Sequence, residues 1–352
     1  MSTMTAARLH RAGAPLVVEA VPVPVPAPGE VLVAVRACGL CGTDLHLAVE
    51  GDLSPVYAPI TLGHEPAGVV ADANDDPHLR AGDRVGLLPA ASCGACRWCR
   101  AGREALCDAA EVYGMQRDGA LADYVAVPAR SVVGLPEEVP FDVGAIATDA
   151  VATPFHALRC RGELRAGERV GVFGCGGIGT HAIMLARALG AGRIVAVDAE
   201  PAALARAERL GVDAVVDARE EDVAREVRAR SDGGLDLALE CVGRPETVEQ
   251  AVRSLAKGGR AVLVGVGPGR PALPALHAFV GREQSVLASY GAHRGDLEEV
   301  YALVAAGRLD LSTSISARYP LADADAALQR LARREGDVVR IVVEPGPGSG
   351  SA

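Results

Sequence analysis

The feature that most restricts this chain is a β-type run that passes directly into a glycine-rich turn and then a helical pattern. Residues 170–173 (VGVF) are followed by Gly174-Cys175-Gly176-Gly177-Ile178-Gly179, and THAIMLARALG then has helical apolar spacing. The three glycines of this spacing differ in what they permit. Gly174 makes a tight turn, Gly176 admits a diphosphate close to the backbone, and Gly179 lets the helix pack on the strand. The helix N-terminus adds amide protons and a partial positive charge. The next β-type run, RIVAV, ends at Asp198, 24 residues after Gly174, where a carboxylate can accept the ribose hydroxyls of an adenosine. Strand, turn, helix, strand and acid in this order predict a dinucleotide site. NAD is expected over NADP, because the charge of Asp198 opposes a 2'-phosphate and Glu200 adds to it. No Arg or Lys occupies positions 199–205, and Arg206 lies further along the helix.

The same rhythm continues after about residue 151. β-type runs at residues 170–173, 193–197, 214–216, 235–239, 261–264 and 286–288 alternate with amphipathic stretches, which predicts an α/β fold with a six-stranded, doubly wound parallel sheet. The first 150 residues read differently. Residues 21–30 (VPVPVPAPGE) forbid helix and suit an extended edge segment leading into a strand. Runs at residues 31–37, 68–71 and 85–88, separated by Gly, Pro and Asp turns, predict small antiparallel sheets. Beyond Gly291, helical patterns at residues 296–306 and 322–335 precede a last strand at residues 338–343, and the ending EPGPGSGSA has no core-forming content, so residues 345–352 are expected to be disordered. A length of 352 residues suits two domains.

Composition excludes several functions. With 49% hydrophobic and 23% charged residues the chain is globular, and its longest apolar runs fall short of the roughly 18 residues a membrane span needs. The start, MSTMTAARLHRAG, does not read as a signal peptide, so the expected location is cytoplasmic. A formal charge of -10 without a basic run argues against nucleic acid and for a small-molecule partner. Lys257 is the one lysine, and position 253 is Arg, so the tyrosine-and-lysine pair of short-chain carbonyl reductases is lacking, as is a basis for Schiff-base chemistry.

Nine cysteines in a reducing compartment read as metal ligands or buried thiols before disulfides. Cys93, Cys96, Cys99 and Cys107 form C-x2-C-x2-C-x7-C, a density that fits a closed, tetrahedral structural zinc better than a redox dithiol or an iron-sulfur cluster. A second constellation is dispersed over CGTDLH (Cys41 to His46), Gly63-His64-Glu65 and Thr148-Asp149. Each piece is unremarkable alone. Together they offer a thiolate, an imidazole and a carboxylate from three loops, which leaves zinc an open fourth position.

With these motifs in order, the chain resembles the zinc-dependent medium-chain alcohol dehydrogenases, over almost its whole length from Ala6 to about Glu344. The resemblance implies a GroES-like β-rich catalytic domain, residues 1–152 and 291–352, with a Rossmann NAD-binding domain at residues 153–290 inserted and a structural zinc lobe at about residues 91–110. It implies that Cys41, His64 and Asp149 bind the catalytic zinc. Relatives often place Cys or Glu where this chain has Asp149. Glu65 would sit behind the metal or bind it transiently, because an anion as a permanent fourth ligand would make the site negative. Asp44 would orient the His64 ring. Arg340 would reach the cofactor diphosphate, while Thr153, Ile178, Val264 and Val266 would hold the nicotinamide. A homodimer or homotetramer is implied as well.

The implied reaction is reversible oxidation of a secondary alcohol, polyol or hydroxylated biosynthetic intermediate to a ketone or aldehyde. A zinc-bound alkoxide would give hydride to nicotinamide C4, and its proton would leave through the Thr43 hydroxyl and the cofactor ribose to His46, because imidazole titrates near neutrality. The competing readings are an NAD(P)H-dependent reductase of an activated C=C bond, whose zinc-free members lack the Cys and His sets found here, and a non-catalytic NAD-binding protein.

Overall fold

The computed structural model describes residues 2–346; residues 347–352, most of the tail expected to be disordered, lie outside the described residues. Two compact units divide the chain: Met1–Ala152 with Ala292–Ala352, and Thr153–Gly291. Among the described residues, no helix is long and apolar enough to cross a membrane.

In the first unit, the long strand Glu30–Gly39 is the axis of a seven-stranded sheet. Its inward positions Val31, Val33 and Val35 are 0 to 1% exposed, the period-two pattern of a strand with one face on a core. Strands Glu65–Asp72 and Tyr124–Pro128 pair with it antiparallel. The last strand, Arg340–Glu344, also joins it antiparallel, with Val342 opposite Gly39 and Val343 opposite Cys38. The C-terminal segment therefore completes the sheet begun by residue 30. Strands Thr3–Leu9, Val17–Pro22 and Ile60–Thr61 form a smaller sheet. Thr3–Leu9 escapes sequence reading because TMTAARL has little β-branched alternation.

In the second unit, all six strands are parallel. Their spatial order is Ala214–Asp217, Arg193–Asp198, Arg169–Phe173, Leu235–Glu240, Leu255–Leu263, Ser285–Ala288. In chain order this is 3-2-1-4-5-6, the doubly wound order whose direction reverses beside the first strand, where the C-terminal strand ends open a crevice for a ligand. The inner strands are buried on both faces, as helix-covered parallel strands must be.

The glycine-rich turn sits at that reversal. Gly174 has φ +88°, a conformation that disfavours side chains, and a Cβ there would strike the Val242 side chain. Gly176 caps the helix Gly177–Ala188 with φ -70°, and a Cβ there would meet nothing within 4 Å. A Cβ on Gly179 would overlap the carbonyl oxygen of Gly174. The first and third glycines thus serve the fold, and the second leaves space. Gly179→Ala is expected to lose about 1–3 kcal/mol of stability through overpacking. Gly176→Ala should unfold at the wild-type denaturant midpoint while binding NADH more weakly. Paired denaturant titrations and NADH fluorescence titrations check both; equal stability of the two variants would refute the assignment.

Candidate active site

Three chain segments of the first unit bring Cys41, His64, Glu65 and Asp149 together, so that one donor atom from each lies within 4.8 Å of the others. Cys41 caps the short helix Gly42–Leu45, and its amide donates to Asp44 Oδ2 at 2.9 Å. His64 ends the loop before the strand Glu65–Asp72. Asp149 lies in a wide π-helical turn, Ala147–Val151, following the helix Phe141–Ile146. This corrects the expectation of three loops: residues 145–152 (AIATDAVA) hold no Gly or Pro, and their alanines favour helix.

Cys41 Sγ stands 3.7 Å from Asp149 Oδ2, and His64 Nε2 stands 3.8 Å from the same oxygen. Donors on a tetrahedral zinc with bonds of about 2.0–2.3 Å are about 3.3–3.8 Å apart, so these residues fit that ion. Burial raises the Cys41 thiol pKa and the nearby Asp149 charge adds to the rise. A divalent cation would favour the opposite, ionised state. Asp44 is fully buried, and its Oδ1 lies 4.0 Å from His64 Nδ1, on the ring side turned away from Asp149. It accepts no hydrogen bond there, so its charge faces the imidazole.

Glu65 is 0% exposed, and burial pushes its carboxyl well above the usual range, against the pull of Arg340. Its Oε1 accepts from Arg340 Nη1 at 3.2 Å, and Nη1 also donates to the Leu40 carbonyl at 3.1 Å. This gives Arg340 a partner that the sequence did not predict, engaged through Nη1 alone of a guanidinium with several N–H donors. With 4% exposure, the guanidinium is the counter-ion of a buried carboxylate, because an unpaired charge at that depth costs several kcal/mol. The sequence hint for this pocket was Gly39, opposite Glu65 in the sheet, where a Cβ would overlap Glu65 Oε2.

The relay candidates separate. Thr43 Oγ1 is 4.0 Å from Cys41 Sγ, beside the donor set. The His46 side chain is 44% exposed and its Nδ1 faces Glu50 and Asp52 instead. Sequence reading missed these two acids, which carry no motif of their own.

The four cysteines form a second donor set within 4.8 Å. Sγ separations of 3.5 Å (Cys96 to Cys99) and 3.9 Å (Cys93 to Cys99) bracket the spacing of thiolates on tetrahedral zinc. The amides of Ala95 and Cys96 donate to Cys93 Sγ and lower its pKa, as thiolate ligation requires.

In the second unit, the Cys175 amide donates to Asp198 Oδ2 at 2.6 Å and the Glu200 amide donates to Oδ1 at 2.8 Å, so backbone fixes the carboxylate beside the turn. Arg206 reaches back over the same turn, donating to the Cys175 carbonyl at 2.6 Å and to Thr180 Oγ1 at 3.1 Å. The Val264 amide bonds to the Glu240 carbonyl, and the loop through Val266 packs on Gly243, next to the Val242 that meets Gly174. Ile178 is in the first turn of the helix Gly177–Ala188, and Thr153 is buried. A further carboxylate, Glu240, is fully buried and accepts from the amides of Val242 and Gly243 and from Thr247 Oγ1. It shapes that neighbouring turn.

Arg340→Leu is expected to cost about 3–5 kcal/mol, because it strands the buried Glu65 charge. The double change Arg340→Leu with Glu65→Leu should recover much of that loss in denaturant unfolding. An Arg340→Leu chain of wild-type stability would refute the pairing with Glu65, and NADH titration of the same chain tests the diphosphate contact separately.

Residues 27–137 match the family Alcohol dehydrogenase GroES-like domain, and residues 177–306 match Zinc-binding dehydrogenase. An alcohol dehydrogenase of Rhizobium meliloti (strain 1021) is 40% identical over 87% of this chain and 90% of its own length. An L-threonine 3-dehydrogenase of Symbiobacterium thermophilum is 33% identical over 97% of this chain and 98% of its own. Among solved structures, a zinc-binding dehydrogenase from Sinorhizobium meliloti 1021 bound to NADP superposes with a TM-score of 0.88, at 34% identity, covering 98% of this chain and 100% of that one. The shared GroES-like and Rossmann units and this likeness over nearly the full length place the chain in the zinc-type, medium-chain alcohol dehydrogenase family.

Proposed function

We propose that the chain is a zinc-dependent NAD(H) alcohol dehydrogenase that interconverts a secondary alcohol, polyol or hydroxylated intermediate with its ketone or aldehyde. The observation that carries this reading is the convergence of Cys41, His64 and Asp149 at the spacing of zinc ligands. Zinc held there would supply Lewis acidity towards the substrate oxygen. Zinc, one thiolate, one carboxylate and a neutral imidazole sum to zero charge, so the centre remains electrophilic. Glu65, its charge balanced by Arg340, acts from behind the donor set. Asp44 faces the far side of the His64 ring and would orient it through its charge. The Thr43 hydroxyl takes up the substrate proton and passes it on, and His46, exposed to water, delivers it to solvent. The four-cysteine lobe would hold a second, structural zinc.

NAD is the preferred cofactor in this reading. Asp198 and Glu200 present negative charge where a 2'-phosphate would lie, and Arg206 is engaged by Cys175 and Thr180. The relatives act on different hydroxyl compounds by name, and one neighbour holds NADP, so substrate and cofactor are tested directly. Self-association is part of the proposal: Ser285–Ala288 is an edge strand of the parallel sheet, and Leu273, Leu276 and Val280 nearby in sequence are 52 to 77% exposed.

A panel of alcohols, polyols and β-hydroxy amino acids with NAD, with zinc counted per chain, tests the function. Asp149→Ala should lose about one zinc of two and lower turnover by at least about a hundredfold, while wild-type metal content and activity would remove Asp149 from the donor set. Asp198→Ala should raise the NAD Kd and shift the NADP-to-NAD preference towards NADP. An unchanged ratio in steady-state kinetics counts against the ribose contact.

A further inference from the structure

Glu240 ends the strand Leu235–Glu240 at the centre of the parallel sheet and is 0% exposed, and its side chain meets amides and a hydroxyl in place of a cation. Its Oε1 accepts from the Val242 amide at 2.8 Å, the Gly243 amide at 2.9 Å and Thr247 Oγ1 at 2.7 Å, and Oε2 accepts from Gly243 at 3.2 Å. A carboxylate can take several donors while offering none in return. Two successive amides converging on one oxygen form a concavity of the kind that takes an anion, and here the chain's own acid fills it. The main-chain carbonyl of Glu240 accepts from the amides of Val264 and Gly265 at 2.8 and 3.0 Å. One residue therefore ties two turns, residues 242–243 by its side chain and residues 264–265 by its backbone. Those turns lie main chain to main chain. A Cβ on Gly243, at φ +83°, would come within 2.6–2.7 Å of the Val266 backbone, and one on Gly265 or Gly267 would overlap the Gly243 backbone. On the other side, the Val242 side chain fills the place a Gly174 Cβ would take. The glycine-rich turn, the turn after Glu240 and the loop at residues 264–267 thus form one stack at the carboxyl ends of three neighbouring strands, with Glu240 in its middle.

We propose that Glu240 is a positioning residue for the cofactor: its carboxylate holds the turn at residues 242–243 at the height where the glycine-rich turn and the loop at residues 264–267 together form the crevice. The proposal rests on the reading of that crevice as a dinucleotide site. Without the acceptor, two amides lose their partner and the turn must rotate to reach water. The loop at residues 264–267 must follow, because it touches the turn backbone to backbone, and the Val242 side chain then leaves Gly174. The crevice is no longer formed before the cofactor arrives, and binding loses what preorganisation supplied. The zinc-ligand set belongs to the other unit and keeps its donors, so the loss falls on cofactor binding and not on turnover once the cofactor is bound.

The test compares the zinc-loaded wild-type chain with three variants. Glu240→Met removes the acceptor, Glu240→Asp keeps the charge but falls one methylene short of the amides, and Glu240→Gln keeps the reach and drops the charge. NADH and NADPH are titrated by fluorescence, and KM for the oxidised cofactor and kcat are measured beside denaturant midpoints. In the Met and Asp variants, Kd and KM should rise about tenfold or more while kcat per folded chain falls by less than about threefold. The Gln variant should stay within about threefold of wild type, because one carbonyl oxygen can still take the three short bonds. NADH and NADPH should weaken by the same factor, since Asp198 is untouched. Wild-type Kd and KM in the Asp variant, whatever its midpoint, would make Glu240 a residue of the fold alone and overturn the proposal. A Gln variant as weak as the Asp variant would overturn it too, and this pair decides the matter even where the Met chain does not fold. Failure of the dinucleotide reading would show in the wild type, as no binding of either cofactor, and an error in the alcohol chemistry would leave the Kd comparison intact.

Discussion

The first unit depends on an ion pair that no solvent reaches. Glu65 lies at the start of one strand and Arg340 at the start of another, and each is nearly or wholly buried. Neither charge is tolerable alone at that depth. The pair therefore holds the C-terminal strand against the segment that delivers Cys41, and Leu40 shares the same guanidinium. It also settles the electrostatics of the donor set. A Glu65 without a counter-ion would leave an extra negative charge beside Cys41 and Asp149 and weaken the electrophilicity of a bound metal. With Arg340 opposite at 3.2 Å, the Glu65 charge is balanced where it stands.

The two units solve different problems with different architectures. The parallel sheet of the second presents backbone amides and a helix N-terminus at the point where its strand order reverses, so its site is built largely from main chain. The antiparallel sheet of the first presents side chains from distant segments. Its strand Glu30–Gly39 ends two residues before Cys41, its partner begins at Glu65 next to His64, and Gly39 keeps the space between them open for a carboxylate. A packed sheet fixes such donors more tightly than mobile loops would.

Local patterns made much of this legible. All six parallel strands follow from short apolar runs between amphipathic stretches, and the glycine-rich turn follows from spacing. The four cysteines lie within 15 consecutive residues, so chain connectivity nearly enforces their meeting. The alanine-rich strand Thr3–Leu9 and the helical turn around Asp149 were illegible, because neither has the alternation or the punctuation on which such reading relies. The acids beside His46 were equally silent, since an exposed Glu or Asp means nothing until its neighbour is known.

What the sequence determined by itself was therefore everything governed by period and short range: the kind of fold, the dinucleotide turn and the cysteine lobe. The tertiary structure alone decided which distant charges face one another. Arg340 is separated from Glu65 by 275 positions, and its partner is chosen by the sheet register and by the high cost of burying an unpaired charge. No periodicity in the chain records that cost, because it exists only once the strands are in place.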